Sequence, residues 1–325
     1  MLTRKCNLRC LQCDFWKINQ HKDLPADSWK KIILDIRNYL GPCFLRFYGG
    51  EPFYRDDFLE LIKFCYDNDT KVLITTNGTL IDFRTAEKLV KNKVFLVNIS
   101  IDGFKPQTHD ELRGIQGTYN KSMQAIEYLK GRVPLQINTT IMEDNLDEIL
   151  SLAEFAHKNK IMISFQPYNF RIYKILSQGC STGRDFSPVD IKKTDYIIDE
   201  LCRLKRHSPS IIESYGRLKQ IKYFYRGELN NRNRHCEVVG STIKIKEMGE
   251  VFLCSYASSM AGGAIGNLTT DSLKHIWESE STHNKIREMK MCNAAECLAI
   301  RGCYRERLVD RMNKFVKCLM FFRGG

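Results

Sequence analysis

Three cysteines stand close together near the start of the chain, in the stretch KCNLRCLQCDFW at residues 5–16. Cys6, Cys10 and Cys13 have the spacing CxxxCxxC. Such cysteines can bind zinc, form a disulfide or hold an iron–sulfur cluster. Structural zinc usually takes four ligands from paired CxxC elements, so a zinc ion here would need a fourth ligand from elsewhere. A [4Fe-4S] cluster with only three protein ligands keeps one iron open for a substrate or cofactor, an arrangement suited to catalysis.

The composition is typical of a globular protein in a reducing compartment. The chain has 325 residues, of which 43% are hydrophobic and 27% are charged, enough for one large core and a smaller appended domain. The first residues, MLTRKCNLRC, lack the apolar stretch of a secretory signal. No run of about 18 apolar residues occurs, so we expect a cytoplasmic protein without a membrane span. Thirteen cysteines are an odd number, and in a reducing compartment spaced cysteines bind metals more often than they form disulfides.

The charge balance is basic, with 50 Lys and Arg against 38 Asp and Glu and a net charge of +12. A basic surface can bind nucleic acid, anionic lipid or an anionic substrate, and it is also common in proteins without such partners. We therefore do not expect nucleic acid as a partner. A zinc-bearing, basic nucleic-acid-binding protein stays open as an alternative function, and it predicts binding that weakens steeply with salt.

The elements that must position the cysteines alternate between helix and strand. The first helix is predicted over 28–40 and the next strand over 44–48 (FLRFY). The pattern recurs in helices predicted at 56–68, 83–92, 118–131 and 146–159 and in strands predicted at 71–76, 94–100, 134–141 and 161–168. Such alternation requires crossover connections, which produce a parallel sheet with helices outside.

The number of these units decides between a closed and an open barrel. With a short strand before Cys6, the pattern contains six βα steps, fewer than the eight of a closed barrel. The sequence therefore predicts an α/β fold: a partial, open (β/α)6 TIM-like barrel, followed by a small C-terminal cysteine-rich α+β domain. Working residues of such sheets lie in loops after the carboxyl ends of strands. The motifs that share this position are the cysteine triplet, GGEP (49–52), TNG (76–78), SIDG (100–103) and QPYN (166–169).

The stretch CNLRCLQC, followed by a strand that ends in GGEP, resembles the radical S-adenosylmethionine (SAM) superfamily. The resemblance implies that Cys6, Cys10 and Cys13 bind a [4Fe-4S] cluster and that SAM chelates the fourth iron. It further implies that the reduced cluster cleaves SAM to methionine and a 5′-deoxyadenosyl radical, which abstracts a hydrogen atom from the substrate. A low-potential electron donor such as flavodoxin or ferredoxin is then expected as a partner.

The same resemblance implies SAM-contacting residues at the strand ends. Gly49 and Gly50 would let the backbone approach the methionine amine, and Arg113 would meet the SAM carboxylate. Asn138 ends another strand and could line the same cavity. The full set expected to bind SAM is Gly49, Gly50, Glu51, Pro52, Asn77, Ser100, Asp102, Arg113 and Gln166. No residue is singled out as catalytic.

Two features depart from the family pattern. Many members carry an aromatic residue or histidine just before the third cysteine, where the backbone meets adenine, whereas this chain has Gln12. Members usually have a full strand before the cysteines, and here five residues precede Cys6. Either that strand is very short or this start is internal to the natural one, and we expect no N-terminal peptide-recognition domain on this chain.

A second cysteine set resembles the auxiliary-cluster extension called SPASM, or its shorter form, twitch. The resemblance rests on the GEVFLC hairpin, the IGNL turn and the helix that contains Trp277. The metal-ligand candidates are Cys236, Cys254, Cys292, Cys297, Cys303 and Cys318. Two full clusters require about eight thiolates, so we expect one auxiliary [4Fe-4S] cluster, with Cys236, Cys254, Cys297 and Cys303 as the preferred ligands. Cys292 could replace one of these, and Cys318 could complete a second, incomplete site. A zinc ribbon made from the same thiolates stays open.

These inferences give a domain division and a function. We predict a radical SAM partial barrel over 1–175, a helical connector over 176–230 and a SPASM- or twitch-like auxiliary-cluster domain over 231–325. A helix opened by Ser187 and Pro188 is predicted within the connector. The expected activity is hydrogen abstraction from a peptide or small metabolite, leading to an oxidation or another modification. A non-catalytic iron–sulfur electron carrier is the other alternative, and it predicts no SAM cleavage.

Overall fold

A parallel five-stranded sheet in the order β1-β2-β3-β4-β5 forms the centre of the computed structural model. The structure describes residues 1–17, 22–169, 185–228, 239, 242–254, 257 and 262–290. The strands are β1 (Phe44–Phe47), β2 (Lys71–Thr76), β3 (Leu96–Ser100), β4 (Leu135–Ile141) and β5 (Met162–Pro167). All four strand pairs are parallel, which confirms the predicted sheet.

Helices connect the strands and cover one face of the sheet. They are α1 (Ala26–Leu40), α2 (Phe58–Asp67), α3 (Phe83–Lys91), α4 (Pro106–Arg113), α5 (Thr118–Leu129) and α6 (Ile149–Lys158), and further along α7 (Ile191–Leu204) and α8 (Tyr215–Tyr225). The main hydrophobic core contains apolar residues of strands and helices together, such as Ile74, Val97, Ile137 and Leu61. The other side of the pleat carries polar residues, such as Asn98 and Gln136, which pair in the parallel register and are both buried. It also carries a small apolar cluster that contains Leu96 and Met162. The sheet therefore has an apolar face toward the helices and a mixed face, with buried polar residues, toward the barrel interior.

The prediction of a strand before Cys6 is wrong, because none of residues 1–5 belongs to a strand and Arg4 lies in a bend. Leu2 N donates to Tyr48 O at 2.9 Å and Gly50 N donates to Thr3 O at 2.9 Å, so this segment still lies along the end of β1. The opposite edge gains a short parallel neighbour. Ile212 N donates to Ile163 O at 3.1 Å, and Ile211 forms an isolated parallel bridge with Ile163.

One predicted helix start is also wrong. Helix α7 begins at Ile191, after the proposed opening at Ser187 and Pro188. The Asp190 side chain accepts a hydrogen bond from Lys193 N at 2.9 Å and so caps the helix. An aspartate at this position satisfies a free N–H of the first turn, which is why the helix starts there.

A small antiparallel sheet follows, formed by β6 (Lys244–Ile245), β7 (Glu250–Phe252) and β8 (Gly266–Asn267). The predicted hairpin is confirmed, and Gly249 in its turn has a φ of +86°, a region that favours glycine. Helices α9 (Leu273–Glu278) and α10 (Glu280–Lys290) come next. The Met1 amino group donates to Ile245 O, and Arg4 forms an ion pair with Glu247 at 2.5 Å. The small sheet therefore contacts the segment that leads into the cysteine triplet.

No helix among the described residues is long and apolar enough to cross a membrane.

Candidate functional site

The cysteine loop, residues 6–13, lies against the C-terminal end of α4. Arg9 N donates to Arg113 O at 3.2 Å and Leu11 N donates to Leu112 O at 2.9 Å. A Cβ atom on Gly114 would lie 2.2 Å from Arg9 O, so the close approach of the two segments requires glycine at this position. The loop is thus held by backbone bonds to the segment that follows β3, about a hundred residues away in sequence.

The three thiols of this loop are shielded from solvent. Cys10 is buried, and Cys6 and Cys13 are half-buried. Burial raises the pKa of Cys6 to about 11 and that of Cys13 to about 12, and it also raises the pKa of Cys10. Burial therefore favours the protonated thiols, and a bound metal or a nearby cation would favour the thiolate form.

Hydrogen-bond donors and one cation surround these sulfur atoms. Leu8 N donates to Cys6 Sγ at 3.4 Å, and Arg113 Nη1 lies 3.9 Å from Cys10 Sγ. N–H donors and a guanidinium stabilise thiolates, so the donor set fits the ligands of an iron–sulfur cluster. Within the described ranges, no three His, Cys, Asp or Glu side chains are arranged to hold a single metal ion. In a [4Fe-4S] cluster each ligating sulfur binds its own iron, so its ligands need not converge on one point.

Asp102 and Arg113 form a buried ion pair beside the loop. Arg113 Nη2 lies 2.7 Å from Asp102 Oδ2, with side chains 11% and 1% exposed. Asp102 also accepts hydrogen bonds from Gln12 Nε2 at 2.9 Å and from Thr140 N at 2.9 Å. Burial lowers the pKa of Arg113, but Asp102 and then Cys10 outweigh it, so this pKa is raised and the guanidinium stays charged. Both residues are placed at the cysteine loop, and their contact with SAM stays a prediction.

The GGEP turn packs against the first residues of the chain. A Cβ atom on Gly49 would lie 2.1 Å from Thr3 O, and one on Gly50 would lie 2.2 Å from Lys5 O. Glu51 N donates to Lys5 O at 2.8 Å, and Pro52 opens a short 3₁₀ helix. The glycines are therefore needed for contact with residues 3–5, and the predicted approach to the methionine amine is untested.

Glu51 is fully buried, and its carboxylate faces the end of β2, while its predicted contact with SAM stays a prediction. Its carboxylate accepts hydrogen bonds from Thr76 Oγ1 at 2.8 Å, Asn77 N at 2.7 Å and Phe53 N at 3.1 Å. Burial outweighs these donors and raises the pKa of Glu51 to about 7. Glu51 thus connects the ends of β1 and β2.

The other predicted side chains spread across the edge. Asn77 Nδ2 donates to Asn7 Oδ1 at 2.9 Å and so contacts the cysteine loop. Ser100 is half-buried at the end of β3. Asn138 pairs with Ser100 in the register of β3 and β4. Gln166, on the edge strand β5, donates to Ser164 Oγ at 3.1 Å.

Two functional candidates were missed from sequence. His109 is buried, and its Nδ1 accepts a hydrogen bond from Asp102 N at 3.3 Å. Burial, followed by the nearby Arg113, lowers the pKa of His109 to about 3, so the ring is neutral. Glu213 is 7% exposed and accepts a hydrogen bond from Ser164 Oγ at 2.5 Å. The alternation of polar residues in QINTT and ISFQ could have indicated a polar barrel interior, but no local signal points to Glu213.

Of the auxiliary cysteines, the structure describes Cys254. It follows β7, is half-buried, and its Sγ accepts a hydrogen bond from Ala257 N at 3.2 Å. Trp277 packs against the nearby buried residues Val239 and Leu253. The other predicted ligands lie outside the described residues, and they are Cys236, Cys292, Cys297, Cys303 and Cys318.

Comparison with known families accounts for both cysteine regions. The sequence pattern of the Radical SAM superfamily matches residues 1–156, and that of an iron–sulfur cluster-binding domain, SPASM, matches residues 236–304. The chain belongs to the radical SAM superfamily and is an enzyme that carries a SPASM domain. The radical SAM domain implies a [4Fe-4S] cluster to which SAM binds, and the SPASM domain implies an auxiliary iron–sulfur cluster.

Similar curated proteins include enzymes of tetrapyrrole and nucleotide chemistry. The AdoMet-dependent heme synthase of Methanosarcina barkeri is 28% identical over 305 residues, which cover 88% of this chain and 83% of that protein. The AdoMet-dependent heme synthase of Oleidesulfovibrio alaskensis is 36% identical over 150 residues, covering 45% and 38%. The GTP 3′,8-cyclase of Clostridium perfringens is 37% identical over 174 residues, covering 50% and 52%. The chain thus spans most of the first relative and about half or less of the other two.

Solved structures share the fold at low identity. Streptococcus suis SuiB bound to S-adenosylmethionine has a TM-score of 0.68 and 18% identity, covering 94% of this chain and 75% of that chain. Native anSMEcpe with bound AdoMet has a TM-score of 0.69 and 19% identity, covering 99% and 93%. Both confirm the radical SAM partial barrel as the fold of this protein.

Proposed function

We propose that this enzyme uses SAM to abstract a hydrogen atom from its substrate and that its auxiliary cluster assists an oxidation or related modification. The observation that carries the proposal is the buried loop of Cys6, Cys10 and Cys13 with the guanidinium of Arg113 beside it. A [4Fe-4S] cluster bound there would supply the electron that splits SAM into methionine and a 5′-deoxyadenosyl radical.

The residues of this chain then bind, orient and shield the reactants. Arg113 and Asp102 hold one side of the cysteine loop, and Glu51 fixes the turn on the other side. One electron and SAM would give methionine and the 5′-deoxyadenosyl radical, and transfer of one hydrogen atom from the substrate to this radical would give 5′-deoxyadenosine and a substrate radical. If the auxiliary cluster accepts a further electron and a proton leaves, the substrate is oxidised by two electrons.

We take an iron porphyrin with carboxylate side chains as the first substrate to test. Support comes from the 28% identity to a heme synthase over 88% of this chain and from a second relative, an Fe-coproporphyrin III synthase that is 30% identical over 163 residues. The net charge of +12 suits an anionic substrate. A peptide is the second candidate, because SuiB and anSMEcpe have been solved with peptides bound. The flavodoxin or ferredoxin donor and the cytoplasmic localisation stay predictions.

The test measures 5′-deoxyadenosine made by anaerobically reconstituted protein given SAM and dithionite. The wild type is compared with the triple variant C6A/C10A/C13A and with the control Cys202→Ala, which changes a half-buried cysteine on α7 outside the site. We expect nucleoside from the wild type and the control only. A wild type with correctly loaded clusters that makes none would remove the catalytic proposal and favour the electron-carrier alternative.

The substrate is identified by isotope transfer. Deuterated iron coproporphyrin and deuterated peptides are supplied in parallel, and deuterium in 5′-deoxyadenosine is measured by mass spectrometry. Transfer from the porphyrin supports the first candidate, transfer from a peptide supports the second, and transfer from neither rejects both.

A further inference from the structure

The side chain of Gln12 links the cysteine loop to a strand end far away in sequence. Gln12 lies between Cys10 and Cys13 and is 7% exposed. Its Nε2 donates to Asp102 Oδ2 at 2.9 Å, across 90 positions of the chain. The same oxygen, Asp102 Oδ2, lies 2.7 Å from Arg113 Nη2.

These contacts close a ring of interactions on the cysteine loop. The ring runs from Gln12 to Asp102, on to Arg113, and back through Arg113 Nη1 to Cys10 Sγ at 3.9 Å. Thr140 N fixes the other oxygen of Asp102 at 2.9 Å. Because Gln12 and Cys10 belong to one short loop, the ring fixes where the guanidinium lies relative to the Cys10 sulfur.

Two polar atoms of this ring lack a protein partner. Gln12 Oε1 and Arg113 Nε are buried, and neither has a hydrogen-bond partner in the part of the chain that the structure describes. A buried acceptor without a donor loses its hydration and gains no hydrogen bond in return, so such an atom calls for a ligand. SAM carries suitable donors in its ammonium, ribose hydroxyl and adenine amino groups.

We propose that Gln12 is a positioning and SAM-binding residue: its amide nitrogen holds the Asp102–Arg113 pair against Cys10, and its carbonyl oxygen accepts a hydrogen bond from SAM. The proposal rests on the proposed function in taking SAM as the cofactor, but it does not require that SAM be cleaved. It assigns a role to the residue at which this chain departs from the family pattern.

The test compares Gln12→Leu with Gln220→Leu. Gln220 lies on α8, is also 7% exposed and is outside the cysteine loop, so it controls for burying a leucine in place of a glutamine. Both variants and the wild type are reconstituted anaerobically to equal iron content. The dissociation constant for SAM is measured by equilibrium dialysis, and the electron paramagnetic resonance spectrum of the reduced cluster is recorded with and without SAM.

For Gln12→Leu we expect SAM binding weakened about 3- to 10-fold, as for one lost hydrogen bond. We also expect a changed spectrum of the reduced cluster before SAM is added, because Arg113 is no longer fixed against Cys10. Gln220→Leu should match the wild type. Gln12→His keeps an N–H donor for Asp102 and should restore the spectrum more fully than the affinity.

A Gln12→Leu protein with wild-type affinity and spectrum would overturn the proposal. If Gln12→Leu keeps its circular dichroism but fails to hold iron while Gln220→Leu holds it, the positioning role is supported. If the wild type binds SAM without producing 5′-deoxyadenosine, the proposed function fails, yet the Gln12 comparison still decides this inference.

Discussion

Two buried carboxylates at the same sheet edge have different surroundings. Glu51, after β1, accepts hydrogen bonds from three uncharged donors that belong to its own turn and to the end of β2. Asp102, after β3, faces the guanidinium of Arg113 and the amide of Gln12. The first connects strand ends to each other, and the second connects the sheet to the cysteine loop.

The comparison shows that two buried carboxylates at one edge of a parallel sheet can have different roles. A carboxylate among neutral donors holds the scaffold, and its pKa is raised by burial. A carboxylate paired with a cation fixes that cation where it can act on a neighbouring sulfur. We therefore expect replacement of the Glu51 carboxylate to change folding and replacement of the Asp102 carboxylate to change the cluster site as well.

The largest effect on the cluster is expected at Gly50, where the GGEP turn contacts the residues just before Cys6. Gly50→Ala places a methyl group 2.2 Å from Lys5 O and 2.4 Å from Arg4 O, both rigid backbone atoms. The segment before Cys6 must then move, so we expect loss of the [4Fe-4S] cluster, measured as iron content and absorbance after reconstitution. Gly131→Ala is the control: its Cβ position has open space around it, and its positive φ of +73° tests whether backbone strain without a close contact removes the cluster. A Gly50→Ala protein that holds a normal cluster would show that this contact is dispensable.

The next effect concerns Asp102 itself. Asp102→Asn presents an amide to Arg113 and Gln12 and leaves the buried guanidinium without its counter-charge. Breaking a buried pair on one side costs about 3–5 kcal/mol, measured as the free energy of unfolding in urea under anaerobic conditions. We also expect SAM binding to weaken in this variant. Glu51→Gln is the comparison: it should lose stability with little change in SAM affinity, and equal affinity losses in both would erase the contrast between the two acids.

The free energy of unfolding should depend on pH because of Glu51. Its pKa is raised in the folded state from 4.5 to about 7, so the protonated form favours folding. The associated stability is fully present below pH 4.5 and is lost as the pH rises to about 7, by ~3 kcal/mol. The measurement is the difference in unfolding free energy between wild type and Glu51→Gln from pH 5 to 8. A difference that stays constant with pH would mean that Glu51 is ionised throughout.

The smallest effect is expected at Asp82, which serves as a control outside the surroundings of Glu51 and Asp102. Asp82 caps α3, and its carboxylate accepts a hydrogen bond from Thr85 N at 2.7 Å. Asp82→Ala should cost ~1 kcal/mol of stability, measured by urea unfolding, and should leave cluster content and SAM affinity unchanged. A change in SAM affinity would show that a loss of stability elsewhere also perturbs the SAM site. The weaker SAM binding of Asp102→Asn could then not be assigned to Asp102 itself.

Much of the architecture was predictable from local patterns. The alternation of helical and strand periods predicted β1 to β5 and the helices between them, since amphipathic periodicity is encoded in neighbouring residues. The spacing of Cys6, Cys10 and Cys13 likewise indicated a cluster loop, because one short segment supplies all three ligands. The GGEP turn was also readable as a site of close backbone approach.

Only the tertiary structure decided what these motifs contact. The glycines of GGEP meet residues 3–5, Glu51 meets β2, and Gln12 reaches Asp102 across 90 positions. These partners depend on strand order and register, which place the ends of distant strands side by side. The short neighbour of β5 at Ile211 also has no local pattern of its own and exists because Ile163 offers a free edge. The sequence by itself determined which residues could do chemistry and which elements carry them; the folded sheet alone decided which of them meet.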